Sequence, residues 1–124
     1  MVNRERVRNG LEPLAWDGRI AEAARSHSRR MRDLDFFAHE DPGRGDLHAR
    51  LRRASIAWRS AAENLFVENG FSRPVEQAVK TWFKSRGHRR NVLGPGWTRT
   101  GVGVVTDGRG KYWFTPILVG GGGR

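Results

Sequence analysis

Apolar positions recur at helical spacing in several stretches of this 124-residue chain and at strand spacing near its end. Residues 2–10 read as a short first helix, ended by Asn9-Gly10. Leu11, Leu14 and Trp16 form a connector of large apolar anchors, and Pro13 blocks helix continuation. Asp17 is an N-cap candidate for a second helix from Gly18 to about Asp35, with the stripe Ile20, Ala23, Ala24, His27, Met31 and Leu34. Phe36 and Phe37, aromatics of buried type, open a loop that turns polar at His39. Asp46 can cap a third helix through about Ala54, with Leu47, Arg50 and Leu51 at helical spacing. Residues 57–67 predict a strand or extended segment, closed by Asn69-Gly70.

A further helix is predicted where Val75, Ala78, Val79 and Trp82 follow i, i+3, i+4, i+7 spacing. Pro74 suits its first turn, and Gly87 can take the left-handed conformation that ends it. His88 follows that stop directly, as a site residue or as part of a surface turn. Residues 98–106 and 111–119 read as two strands joined by an Asp107-Gly108 hairpin turn. Gly101 and Gly103 lack the third glycine and following helix of a dinucleotide loop, so they are expected to let a helix or another backbone pack close. Helices first and strands later predict an α+β fold, an antiparallel sheet covered by helices. Residues 1–119 are expected to form one domain and 120–124 a flexible Gly-rich tail.

Charge adds a possible partner class. The formal net charge is +10, nearly all from arginine, with Lys80, Lys84 and Lys111 the only lysines. That excess admits anionic cell-envelope polymers as partners. The arginines are scattered rather than gathered into one stripe, which also fits simple decoration of solvated faces. Aromatic-plus-basic stacking motifs are absent, which argues against nucleic acid. No apolar run approaches the ~20 residues that span a bilayer. Residues 3–6 are polar, unlike the apolar core of a signal peptide. Cysteine is absent, which excludes disulfides and thiolate chemistry.

Three side chains are the candidates for chemistry: His39, Glu63 and His88. Glu63 lies in an apolar run, so it is either exposed at an edge or held by partners. His27 lies on the apolar stripe of its helix, where a hydrogen-bonded core role is expected, and His48 is expected to face solvent. Two imidazoles and one carboxylate can hold zinc with a fourth position open for water. The same trio can act as a general acid/base group without metal. No fixed-offset ligand motif and no nucleophile elbow accompany them.

The segments Asn9-Gly10-Leu11, Pro13-Leu14…Trp16-Asp17, His27-Ser28…Met31, Phe37-Ala38-His39, Ala62-Glu63-Asn64-Leu65, Trp82…Arg86-Gly87-His88-Arg89-Arg90-Asn91-Val92-Leu93 and Gly101-Val102-Gly103-Val104 occur in that order. Together they resemble the CAP domain, the SCP-like or allergen V5/Tpx-1-related superfamily, in its short bacterial form. The resemblance implies a three-layer α-β-α sandwich with a mainly antiparallel central sheet. It implies a secreted or envelope-associated protein with a Zn (or other divalent-metal) cleft at His39, His88 and Glu63, and a peptide or lipid ligand among its possible partners. As a hydrolase, it would use Glu63 or His88 as general base. The family's second glutamate is missing, because Trp82 is followed by Phe83-Lys84-Ser85. The last strand departs too, with Trp113-Phe114-Thr115-Pro116 in place of a Trp-Thr-Gln-type run. Proline removes a ladder donor, so Pro116 is expected at an edge or a bulge.

Overall fold

Asp17 opens the longest described helix: its carboxylate accepts hydrogen bonds from the backbone N–H groups of Arg19 and Ile20. The structure is a computed structural model and describes residues 2–69, 94 and 96–121. In chain order its elements are α1 (Val2–Arg8), β1 (Ala15–Trp16), α2 (Gly18–Leu34), α3 (Leu47–Arg53), β2 (Ser60–Glu63), β3 (Phe66–Asn69), β4 (Arg99–Thr106) and β5 (Lys111–Gly120). The helix predicted between residues 74 and 86, with Gly87 and His88, lies outside the described residues.

The strands form one mixed sheet in the order β1-β4-β5-β2, with β3 also paired to β5. Among the described strands only β1 runs parallel to its neighbour, so their sheet is mainly antiparallel, and the α+β architecture follows the expectation. Helix α2 lies across β4 and β5. Ile20, Ala24, Leu51, Ile56, Ile117 and Val119 form the core between the helices and the sheet.

Close approach of α2 depends on two glycines of β4. A Cβ at Gly101 would fall 2.2 Å from the Ala21 nitrogen, and one at Gly103 would fall 2.3 Å from the Ala24 carbonyl carbon. Both contacts are backbone, which cannot swing aside. The helix face that settles on this strip buries Ile20, Ala21, Ala24, His27, Ser28 and Met31. Ser28 Oγ also meets Thr115 Oγ1 of β5 at 2.6 Å, tying helix to sheet by a buried polar contact.

Several expected anchors are not buried. Trp16 is exposed although its strand pairs with β4, and Phe37 and Leu34 are exposed at the C-terminal end of α2. Burial of this helix face stops at Met31, because Asp35 turns into the left-handed conformation (φ 55°) and the chain leaves the sheet. The extended segment 57–67 proves to be two strands, β2 and β3.

Pro116 is neither at an edge nor at a bulge. It occupies β5, which has β4 on one side and β2 and β3 on the other. Glu63 pairs with Ile117 and Phe66 with Phe114, which leaves two residues on each strand between them and no insertion. Asn64 donates its N–H to the Pro116 carbonyl at 3.0 Å. The reciprocal bond needs an N–H that proline lacks, so the ladder opens at Asn64-Leu65 and one strand becomes two. At the other end, β5 continues through Gly120, one residue beyond the predicted strand; a Cβ there would meet the Gly96 oxygen at 2.4 Å.

Candidate functional site

The left-handed Asp35 sends the 36–45 loop back along α2, and three anchors fix His39 within it. His27, buried on α2, donates from Nε2 to the Ala38 carbonyl at 2.8 Å. Arg50, buried on α3, donates from Nη2 to the His39 carbonyl at 2.8 Å. The His39 ring itself donates from Nδ1 to Glu63 Oε1 at 2.9 Å. Further along the loop, buried Asp41 pairs with Arg30 and accepts N–H bonds from Gly43 and Arg44.

Glu63 stands at the end of β2, where the Pro116 break begins, with its side chain only 1% exposed. Arg50 grips both carboxylate oxygens, Nη2 to Oε1 at 2.7 Å and Nη1 to Oε2 at 2.9 Å. Burial raises the Glu63 carboxyl, but the hydrogen bonds from His39 and Arg50 and the guanidinium charge outweigh it, so its pKa lies below the ordinary glutamate value. Glu63 is therefore an ionised, fully enclosed carboxylate with three of its roughly four acceptor positions filled. His27 is the reverse: burial lowers its pKa and keeps the ring neutral, so Nε2 holds the proton that bonds Ala38.

This arrangement divides the work between Glu63 and His39. Nδ1 is the donor to the carboxylate, so in the neutral ring the Nε2 lone pair is free, and the side chain is 61% exposed. That is the donor state a metal-ligating imidazole needs, with a carboxylate behind it fixing the tautomer. His39 thus fits a divalent metal as a direct ligand. Glu63 fits as the group behind the ligand, since its oxygens already face Arg50 and His39. Among the described residues there is no group of three or more His, Asp or Glu that would enclose a metal by itself. His88, the other imidazole of the expected set, lies outside the described residues. His48 is exposed as expected and stacks on Trp58 with ring centroids 5.3 Å apart.

Sequence reasoning missed Arg50, the residue that organises the cluster. Its signal was present, because Leu47, Arg50 and Leu51 share one face of α3. A charge on an apolar stripe calls for a buried partner just as Glu63 does.

The family model for CAP, the cysteine-rich secretory protein family, matches residues 1–118. The uncharacterized protein YkwD of Bacillus subtilis (strain 168) is 37% identical over 108 residues, covering 87% of this chain and 41% of YkwD. The chain therefore spans less than half the length of that relative. Among solved structures, an extracellular protein containing a SCP domain from Bacillus anthracis superposes with a TM-score of 0.84 at 35% identity, covering 97% of this chain and 38% of the other. The structure of NaASP2 with Zn2+ superposes with a TM-score of 0.61 at 16% identity, over 87% of this chain and 60% of the other, a likeness of fold.

Proposed function

The chain belongs to the CAP, or cysteine-rich secretory protein, family, and from that premise we propose that it is an extracellular or envelope-associated binding module whose cleft takes a divalent metal, zinc first, on His39 Nε2 and His88. Glu63 does not ligate in this reading; it holds His39 in the ligating tautomer, and Arg50 holds Glu63. One observation carries the proposal: the Arg50–Glu63–His39 chain of short contacts, which commits Nδ1 and leaves Nε2 facing outward. When bound, the metal would supply Lewis acidity and a site for an oxygen or nitrogen donor of a ligand. The zinc in the NaASP2 structure and the extracellular description of the Bacillus anthracis protein lend support by analogy. The described residues contain no helix long and apolar enough to cross a membrane, which is compatible with this placement.

A hydrolase reading with Glu63 as general base draws less support. Its oxygens already accept bonds from Arg50 and His39, and it has almost no contact with solvent. The test is calorimetric titration of zinc into chelator-stripped protein, beside His39→Ala and His88→Ala variants. Near-stoichiometric binding that each substitution abolishes is the expected result. Binding that survives both substitutions unchanged would overturn the proposal.

A further inference from the structure

Behind the His39 cluster, between α2 and α3, lies a cavity of about 360 Å3 whose lining includes Arg19, Arg29, Arg30, Arg44, Arg50 and Arg53 but only one carboxylate, Glu22. Two of these cations are neutralised locally, Arg30 by Asp41 and Arg50 by Glu63. Arg29 shares Glu22 with Arg25, which lies outside the lining. Arg19 and Arg44 spend one donor each on the Ser55 carbonyl and Ser26 Oγ. Neither of those two nor Arg53 has a carboxylate partner among the described residues. Three guanidinium groups without a carboxylate partner around one concavity make it electropositive.

Arg50 Nε and His27 Nδ1 are buried and have no hydrogen-bond partner among the described residues. Because His27 Nε2 donates to Ala38, its Nδ1 is an acceptor. Both atoms lie behind the cavity surface, so the groups that can meet a ligand are the guanidinium groups of the rim.

We propose that this cavity binds the phosphate group of a phosphate ester. A carboxylate offers two oxygens and a single charge, whereas a cavity lined by several guanidinium groups suits a tetrahedral oxyanion with more oxygens and higher charge. The volume exceeds what one phosphate fills, so the site also accommodates part of the esterified group. Its inner wall is Arg50, the residue that clamps Glu63, so the cavity and the His39 cluster share one guanidinium. This inference does not depend on zinc binding at His39.

Calorimetry at two salt concentrations tests it with glycerol 3-phosphate, a monoester, and with bis(glycero)phosphate, a diester. The double variant Arg19→Gln/Arg53→Gln removes two exposed cavity cations; Arg4→Gln/Arg109→Gln removes the same charge elsewhere. We expect saturable one-to-one binding, weakened about tenfold or more in the cavity variant and little changed in the control. In labelled protein the His27 ring resonances should shift with the same saturation curve. Preference for the monoester supports the site as one for a terminal phosphate; preference for the diester, which has one charge on two free oxygens as a carboxylate does, would overturn that reading. Absence of saturation, or equal weakening in both double variants, would overturn it.

Discussion

Replacing Arg50 with methionine keeps most of the side chain's bulk and removes its charge and its donors. Glu63 then loses both of its guanidinium bonds, at 2.7 and 2.9 Å, and keeps only His39. Both partners are buried, with side-chain exposures of 6% and 1%, so solvent cannot replace the lost cation. Breaking a buried pair from one side costs about 3–5 kcal/mol, a large share of the roughly 5–15 kcal/mol that holds a domain together. Glu63→Gln should cost less, because the amide oxygen still accepts from Arg50 and the guanidinium keeps its bond to the His39 carbonyl, although its counter-charge is gone. The double variant should be more stable than the sum of the singles implies, by about 2 kcal/mol or more. Urea unfolding at pH 7, followed by tryptophan fluorescence, measures all three differences. The penalty also depends on pH. In the parent, the depressed Glu63 pKa contributes stability above the unfolded value, lost as pH falls through the folded one. In Arg50→Met, burial acts without the guanidinium and pushes the carboxyl up, so the group protonates more easily and the penalty shrinks as pH drops below neutral. A penalty under about 1 kcal/mol at pH 7, or strictly additive singles, would refute the claim that this ion pair holds the site.

Other expectations follow from the packing and the caps. Gly103→Ala drives a Cβ to 2.3 Å from the backbone of α2 and should destabilise by about 3 kcal/mol, read as a lower urea midpoint. Asp17→Ala removes the α2 cap and the partner of Arg99, and should cost about 1–2 kcal/mol in the same assay. Asp41 has its carboxyl held at about 2: burial raises it, but the Arg30 pair and the Gly43 and Arg44 N–H bonds prevail. A depressed pKa stabilises above the unfolded value, so stability should fall as pH drops from about 4 towards 2, and Asp41→Asn should flatten that slope.

Much of the architecture is legible in the residues. Asp17 and Asp46 announce their helices because an N-cap carboxylate acts locally, and both cap as the sequence implies. Gly101 and Gly103 signal a close approach, and α2 supplies it. The sheet's interior was harder to read. Pro116 looks like an edge residue when only its own strand is considered. Its position in the middle becomes clear once Asn64-Leu65 lies opposite and absorbs the missing donor, a long-range fact. Trp16 and Phe37 mislead for a similar reason, since size and hydrophobicity do not say whether a neighbour covers them. At the site, His39 and Glu63 stood out as polar residues in demanding surroundings, and the structure brings them together. Arg50 was hidden because arginine is abundant in this chain, and only its place on the Leu47–Leu51 face distinguishes it from the solvated majority.

Nitrogen-15 NMR of the labelled histidine rings, recorded before and during zinc addition, tests the central claim most directly. The account predicts that His39 carries its proton on Nδ1, against Glu63, with a free Nε2 that shifts on zinc binding. Glu63→Gln should weaken that binding about 10–100-fold while leaving the protein folded. A His39 ring protonated on Nε2, or a zinc response that leaves Nε2 unmoved, would contradict it.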